Sequence, residues 1–75
     1  MKLKQLKVND QGVVTGFSTA DANYRQKLLR MGLTRNAEFA VVRKAPFGGP
    51  IEIEVKGSRL VLRSDEADAL EVDKK

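Results

Sequence analysis

The side chains of this chain that could do chemistry offer only oxygen and nitrogen donors, because its 75 residues include neither cysteine nor histidine. Disulfides, thiolate nucleophiles, Cys/His zinc sites and Ser-His-Asp triads are therefore excluded. The densest acidic group is Asp65, Glu66 and Asp68. We expect these carboxylates to lie in an exposed helical turn and complement its dipole, since a transition metal usually takes His or Cys beside carboxylate. The sequence predicts no enzyme, no catalytic residue, no metal site and no cofactor.

Binding to another molecule is the better prospect, and two segments offer side chains for it. In a predicted helix over 21–31, Tyr24 combines an apolar ring with a hydroxyl, and Leu29 lies off the apolar stripe. In the Pro/Gly loop 46–50, Phe47 either anchors a partner from an exposed tip or folds back over the core. The predicted partner-binding residues are Tyr24, Arg25, Leu29, Arg30, Pro46, Phe47, Gly48 and Pro50.

The charge balance permits an anionic partner without requiring one. There are 14 Lys and Arg residues against 10 Asp and Glu residues, for a net charge of +4. Residues 25–63 hold nine basic and three acidic residues, so the middle of the chain is basic. The basic middle makes nucleic-acid binding the alternative function. The chain offers few aromatic platforms for stacked bases, however, because it has one Tyr, three Phe and no Trp. We predict a protein partner and no nucleic acid.

Local signals place the helix that carries half of these residues. Tyr24, Leu28 and Met31 recur at i, i+4 and i+7 and form one apolar stripe. Asp21 is a candidate N-cap, and Gly32 supplies a left-handed stop after the last turn. These signals agree on a helix over 21–31.

Five short strands are expected around that helix. β-branched residues and alternation predict strands over 11–17, 38–45, 51–56, 59–63 and 70–72. Gly16 inside the first strand predicts a bulge, and Ser64 is expected to cap a helical turn over 64–69. Many short strands in so short a chain favour a mainly β, small, partly open barrel. One α-helix lies between strands 1 and 2, a short helical turn precedes the last strand, and residues 1–75 form one domain.

The connection between strands 3 and 4 predicts a register. Gly57-Ser58 fits a two-residue type II′ turn, which pairs Val55 with Leu60 and Glu52 with Arg63. One face of the hairpin is then apolar and the other polar, so the register is strongly specified.

Three segments in this order resemble the FeoA family of small ferrous iron transport proteins: residues 24–34, 41–53 and 57–63, followed by the acidic turn at 65–67. The resemblance covers about residues 3–73. This chain departs from the family at Arg35-Asn36, where Pro-Gly is usual, and at Gly48-Gly49-Pro50, where the family often has Gly-Asp-Pro. Asn tolerates the left-handed conformation, so the first turn should survive.

The resemblance implies an SH3-like fold and an accessory role in bacterial ferrous iron uptake. The implied partner is the cytoplasmic, GTP-binding region of the membrane ferrous iron transporter. The same barrel is similar to the C-terminal domain of iron-dependent repressors, so a regulatory module that binds such a repressor is a further alternative.

The expected cellular location of the protein rests on the membrane and secretion signals that the sequence lacks. No apolar run approaches the roughly 20 residues of a membrane span, and the N-terminus has no secretory apolar segment. We therefore expect a cytoplasmic protein that does not insert into the membrane. A monomer is expected, or a weak oligomer through exposed edge strands.

Overall fold

The computed structural model describes residues 1–19 and 21–75, and strands dominate it. A single 3₁₀ turn, Leu3–Gln5, precedes two helices, α1 (Ala22–Arg30) and α2 (Ser64–Asp68). The strands are β1 (Gln11–Phe17), β2 (Glu38–Lys44), β3 (Ile51–Val55), β4 (Ser58–Leu62) and β5 (Leu70–Lys74). The predicted mainly β architecture, with α1 between β1 and β2 and α2 before β5, is confirmed. The helices formed by the described residues are too short and too polar to cross a membrane.

The strands form one antiparallel sheet in the order β4-β3-β2-β1-β5. Its two edge strands, β4 and β5, do not pair with each other in the described part of the chain, so the barrel is partly open. The register of β1 against β5 shifts between Val14 and Gly16, which confirms the bulge predicted at this glycine.

The N-terminal segment covers one of these edges. The carbonyl of Met1 accepts a hydrogen bond from the Val72 N–H of β5 at 2.9 Å. Lys44 of β2 holds the same segment from the other side, because its ammonium group donates to the carbonyls of Lys4 at 2.7 Å and Leu6 at 2.8 Å. The segment before β1 is therefore part of the folded domain.

The core is built from side chains of the 3₁₀ turn, both helices and all five strands. Leu3 and Leu6 are fully buried there, although their spacing is too short to predict a helix. The largest fully buried side chains are Leu3, Leu6, Leu28, Leu33, Ile53, Leu62, Leu70, Val14, Val41 and Val72.

The predicted hairpin register is wrong by two residues. Val55 pairs with Ser58 and Glu54 with Arg59, so Lys56 and Gly57 form the turn. Both turn residues have positive φ, 52° and 82°, as a type I′ turn requires. A shift of two residues keeps every side chain on its face of the sheet, so the apolar pattern alone could not detect it.

The start of α2 also differs from prediction. Arg63, not Ser64, is the N-cap residue, and its N–H donates to the Glu66 carboxylate at 3.0 Å. The acidic turn was expected to be exposed, but Glu66 is only 4% exposed. Its carboxylate is buried because it satisfies the backbone at the start of the helix.

Candidate partner-binding surface

Helix α1 is fixed at both ends by the residues that the sequence indicates. The Asp21 carboxylate accepts a hydrogen bond from the Asn23 N–H at 2.9 Å, and Gly32 follows the helix with φ of 93°. Leu28 is fully buried and anchors the inner face of the helix. Arg25 and Arg30 are exposed, so α1 presents two cations outward from a fixed scaffold.

Tyr24 does not lie free on this surface. It is half-buried, and its hydroxyl donates a hydrogen bond to the carboxylate of Asp65 on α2. That hydrogen bond, with some desolvation, raises the pKa of the Tyr24 phenol above its ordinary value. The same bond, with backbone N–H donors, holds the pKa of Asp65 below its ordinary value. Tyr24 therefore joins α1 to α2.

The loop between β2 and β3 presents its aromatic side chain to solvent. Phe47 is fully exposed, so the alternative in which it folds back over the core is wrong. The base of the loop is closed by a hydrogen bond from the Ala45 N–H to the Pro50 carbonyl at 2.9 Å, with both prolines exposed. Phe47 and Gly48 at the tip have positive φ, 59° and 73°. The hydrogen bond at the base holds the two ends of the loop together.

A groove of about 530 Å³ runs beneath this loop. Ile51 of β3 and Ala67 of α2 supply its apolar floor, while Lys4 and Lys44 supply positive charge. Phe47 and Gly48 stand at its rim.

A second groove, of about 500 Å³, lies beside α1. Arg25 and the half-buried Leu29 line it together with Phe17 and Arg35. This groove and the loop groove share no residue. Helix α2 borders the loop groove, and its Asp65 accepts the hydrogen bond from Tyr24 of α1.

The structure thus brings only some of the predicted binding residues together, in two separate grooves. Arg25 and Leu29 are brought together, and Phe47 and Gly48 are brought together, while Arg30 lines neither groove. Sequence reasoning missed the contributions of Phe17, Arg35, Lys4 and Lys44. Of these four, only Arg35 could have been found from the sequence, because it is a cation directly after the end of the helix.

The acidic side chains are dispersed. Within residues 1–19 and 21–75, no three of them come close enough together to hold a metal ion.

Comparison with known proteins identifies the family. The family model of the FeoA domain matches residues 1–74. A crystal structure of an iron uptake regulatory protein, FeoA, is 35% identical, with a TM-score of 0.89 over 100% of this chain and 97% of that chain. FeoA of Stenotrophomonas maltophilia, crystallised with zinc, is 30% identical, with a TM-score of 0.82 over 97% of this chain and 89% of that chain. That protein is described as a procaryotic SH3 domain protein possibly acting as a ferrous iron transport activating factor.

A more distant likeness concerns the fold alone. A manganese-dependent transcriptional repressor in complex with manganese is 24% identical, with a TM-score of 0.91 over 100% of this chain and 36% of that chain. The predicted SH3-like fold and the predicted family are both confirmed: this chain belongs to the FeoA family.

Proposed function

We propose that this chain is a cytoplasmic, non-enzymatic accessory protein of ferrous iron uptake. It binds the cytoplasmic, GTP-binding part of the membrane ferrous iron transporter and adjusts its activity or assembly. The observation that carries the proposal is the match to the FeoA domain over residues 1–74. The Stenotrophomonas maltophilia relative is described as possibly acting as a ferrous iron transport activating factor, which supports a role in adjusting the transporter.

Two surface features support binding through α1 and the loop 46–50. Phe47 is a fully exposed aromatic side chain on a loop with a closed base, and exposed aromatic residues often anchor partners. Arg25 and Arg30 are exposed and pair with no carboxylate among the described residues. These groups are therefore available to a partner without first breaking an internal contact.

The identity of the partner is tested by recovery of the tagged protein from its own cells, grown with little iron, followed by mass spectrometry. The expected result is co-recovery of a membrane transporter with a GTP-binding domain, and reconstitution of that complex from purified parts. Recovery of ribosomes or RNA would overturn the proposal in favour of a nucleic-acid-binding barrel. A metal-dependent repressor as the main partner would overturn it in favour of a regulatory module.

The binding surface is tested with one combined variant, Arg25→Glu, Arg30→Glu and Phe47→Ala. It should lose transporter binding and ferrous iron uptake while its thermal unfolding stays close to that of the wild type. A matched control carries Lys7→Glu, Arg43→Glu and Val61→Ala at exposed positions on other faces. Normal uptake by the folded test variant, or equal loss in the control, would contradict this choice of surface.

A further inference from the structure

The groove beside α1 combines positive charge with apolar surface, and the proposed function does not say what kind of ligand would bind there. It is lined by Phe17 at the end of β1, Arg25 and Leu29 on α1, and Arg35 in the connection to β2. We call the groove that these four residues line the α1 groove. Arg25 and Leu29 are four residues apart and so share one face of the helix.

The backbone around Arg35 is held firmly against β1. The Asn36 N–H donates to the Val14 carbonyl at 2.7 Å, and the Val14 N–H donates to the Ala37 carbonyl at 2.9 Å. The guanidinium of Arg35 lies over the bulge at Gly16, where a Cβ atom would stand 3.9 Å from its Nη2 atom. Main-chain hydrogen bonds at the two residues after Arg35 thus hold its turn against β1, the strand that ends at Phe17.

Neither arginine of the α1 groove has an anionic partner within the part of the chain that the structure describes. The ion pairs there involve other cations, among them Lys27 with Glu66 and Arg59 with Glu52. Two unpaired arginines therefore line the same groove as Phe17 and Leu29, which are both only half-buried. Arginine binds carboxylates through two parallel hydrogen bonds, and Phe17 and Leu29 offer apolar contact in the same groove.

We propose that the α1 groove binds an acidic segment of a partner protein, with one apolar side chain seated on Phe17 and Leu29 and flanking carboxylates on Arg25 and Arg35. Charge complementarity selects this occupant, and a volume of about 500 Å³ exceeds what a small inorganic anion fills. The inference rests on the proposed function only in taking α1 as a docking element. It adds the chemistry of the segment that docks there.

The test uses the purified protein and a capped synthetic peptide with Glu-Leu-Glu at its centre, flanked by Gly and Ser. Two-dimensional amide NMR should show saturable shifts at Gly16, Leu29 and Asn36. Peptides with Gln-Leu-Gln or Glu-Ser-Glu at the centre should bind about tenfold more weakly, since each lacks one of the two kinds of contact. Arg35→Glu should weaken binding of the first peptide by at least about tenfold.

Arg43→Glu is the matched control, because it makes the same charge change at an exposed position of β2 outside the groove. It should bind the peptide like the wild type, and Arg25→Gln serves as a milder second variant in the groove. The proposal is overturned if no saturable shift occurs at the groove, if inorganic phosphate alone reproduces the shifts, or if Arg43→Glu weakens binding equally. Self-association that produces the same shifts without peptide would also overturn it. Since no transporter is present, failure here is distinguishable from failure of the proposed function.

Discussion

The ammonium nitrogen of Lys27 on α1 lies 2.5 Å from a carboxylate oxygen of Glu66 on α2. The side chain of Glu66 is 6% exposed while that of Lys27 is 61% exposed, so the pair joins a buried anion to a solvated cation. Glu66 also accepts the Arg63 N–H at 3.0 Å. One carboxylate thus closes the start of α2 and connects that helix to α1.

This arrangement makes the stability of the fold depend on pH. The hydrogen bond from Lys27, together with that from the Arg63 N–H, holds the pKa of Glu66 below its ordinary value of 4.5. A group with a lowered folded-state pKa contributes its full stability above the ordinary value and loses it as pH falls through the folded value. The unfolding free energy of the wild type should therefore fall on acidification below about pH 4.5.

Glu66→Gln should lower the unfolding free energy at neutral pH by about 1 kcal/mol, since an amide keeps part of the hydrogen bonding but loses the charge. Its stability should also decline less on acidification than that of the wild type. Denaturant unfolding across pH measures both effects. Glu38→Gln is the control, because Glu38 forms an exposed pair with Lys75 and should contribute under about 0.5 kcal/mol. Equal acid sensitivity in Glu66→Gln and wild type would contradict the assignment.

The contact between Tyr24 and Asp65 can be read directly by titration. Tyr24 is the chain's one tyrosine and there is no tryptophan, so the ultraviolet absorbance of phenolate reports this group alone. Its pKa should lie above the ordinary value of 10.0, because its hydroxyl donates to the Asp65 carboxylate. Asp65→Asn should bring the pKa down towards that value, while Asp68→Asn should leave it unchanged. An unshifted titration in the wild type would show that the two side chains do not meet in solution.

The buried N-terminal turn should contribute to the stability of the fold through Leu3. Leu3 is fully buried although it lies two residues from the chain start, so Leu3→Ala should cost about 2–5 kcal/mol of unfolding free energy. Val8→Ala is the control: Val8 is 47% exposed, and the expected change is under about 0.5 kcal/mol. Guanidinium unfolding measures both. A loss for Leu3→Ala no larger than the control's would mean that the turn does not pack as described.

At α1 and at the bulge in β1, local chemistry decides the structure and the sequence was informative, whereas the turn at Lys56-Gly57 and the cap of α2 are local features that it predicted wrongly. Helix α1 runs from its Asp21 cap to the stop at Gly32, and the bulge occurs at Gly16, because caps, left-handed glycines and strand glycines act within a few residues. Leu3 and Leu6 predict only that the arm before β1 packs against the fold. The full burial of Leu3 depends on contacts of its turn with α2 and β5, which are distant in the sequence.

In the candidate site, too, some features depend on local sequence and others on contacts between distant segments. The prolines and glycines around Phe47 predict a loop, but the sequence left open whether its ring is exposed or folds back, and the structure shows it exposed. The α1 groove forms because the turn at Arg35 hydrogen-bonds to β1, a contact between segments some twenty residues apart. Side chains that meet only through such a contact could not be grouped from the sequence.

The turn at Lys56-Gly57 distinguishes the observed hairpin register from the one that the sequence predicted. Lys56 has φ of 52°, a conformation that asparagine adopts more readily, so Lys56→Asn should raise the unfolding free energy by about 0.5 kcal/mol. In the predicted register, Lys56 would lie in a strand, and asparagine would destabilise it. Gly57→Ala should cost at least about 1 kcal/mol through backbone strain alone, because φ is 82° and nothing lies within 4 Å of an added Cβ. Denaturant unfolding measures each change, with Lys7→Asn as a neutral control, and destabilisation by Lys56→Asn would favour the type II′ turn instead.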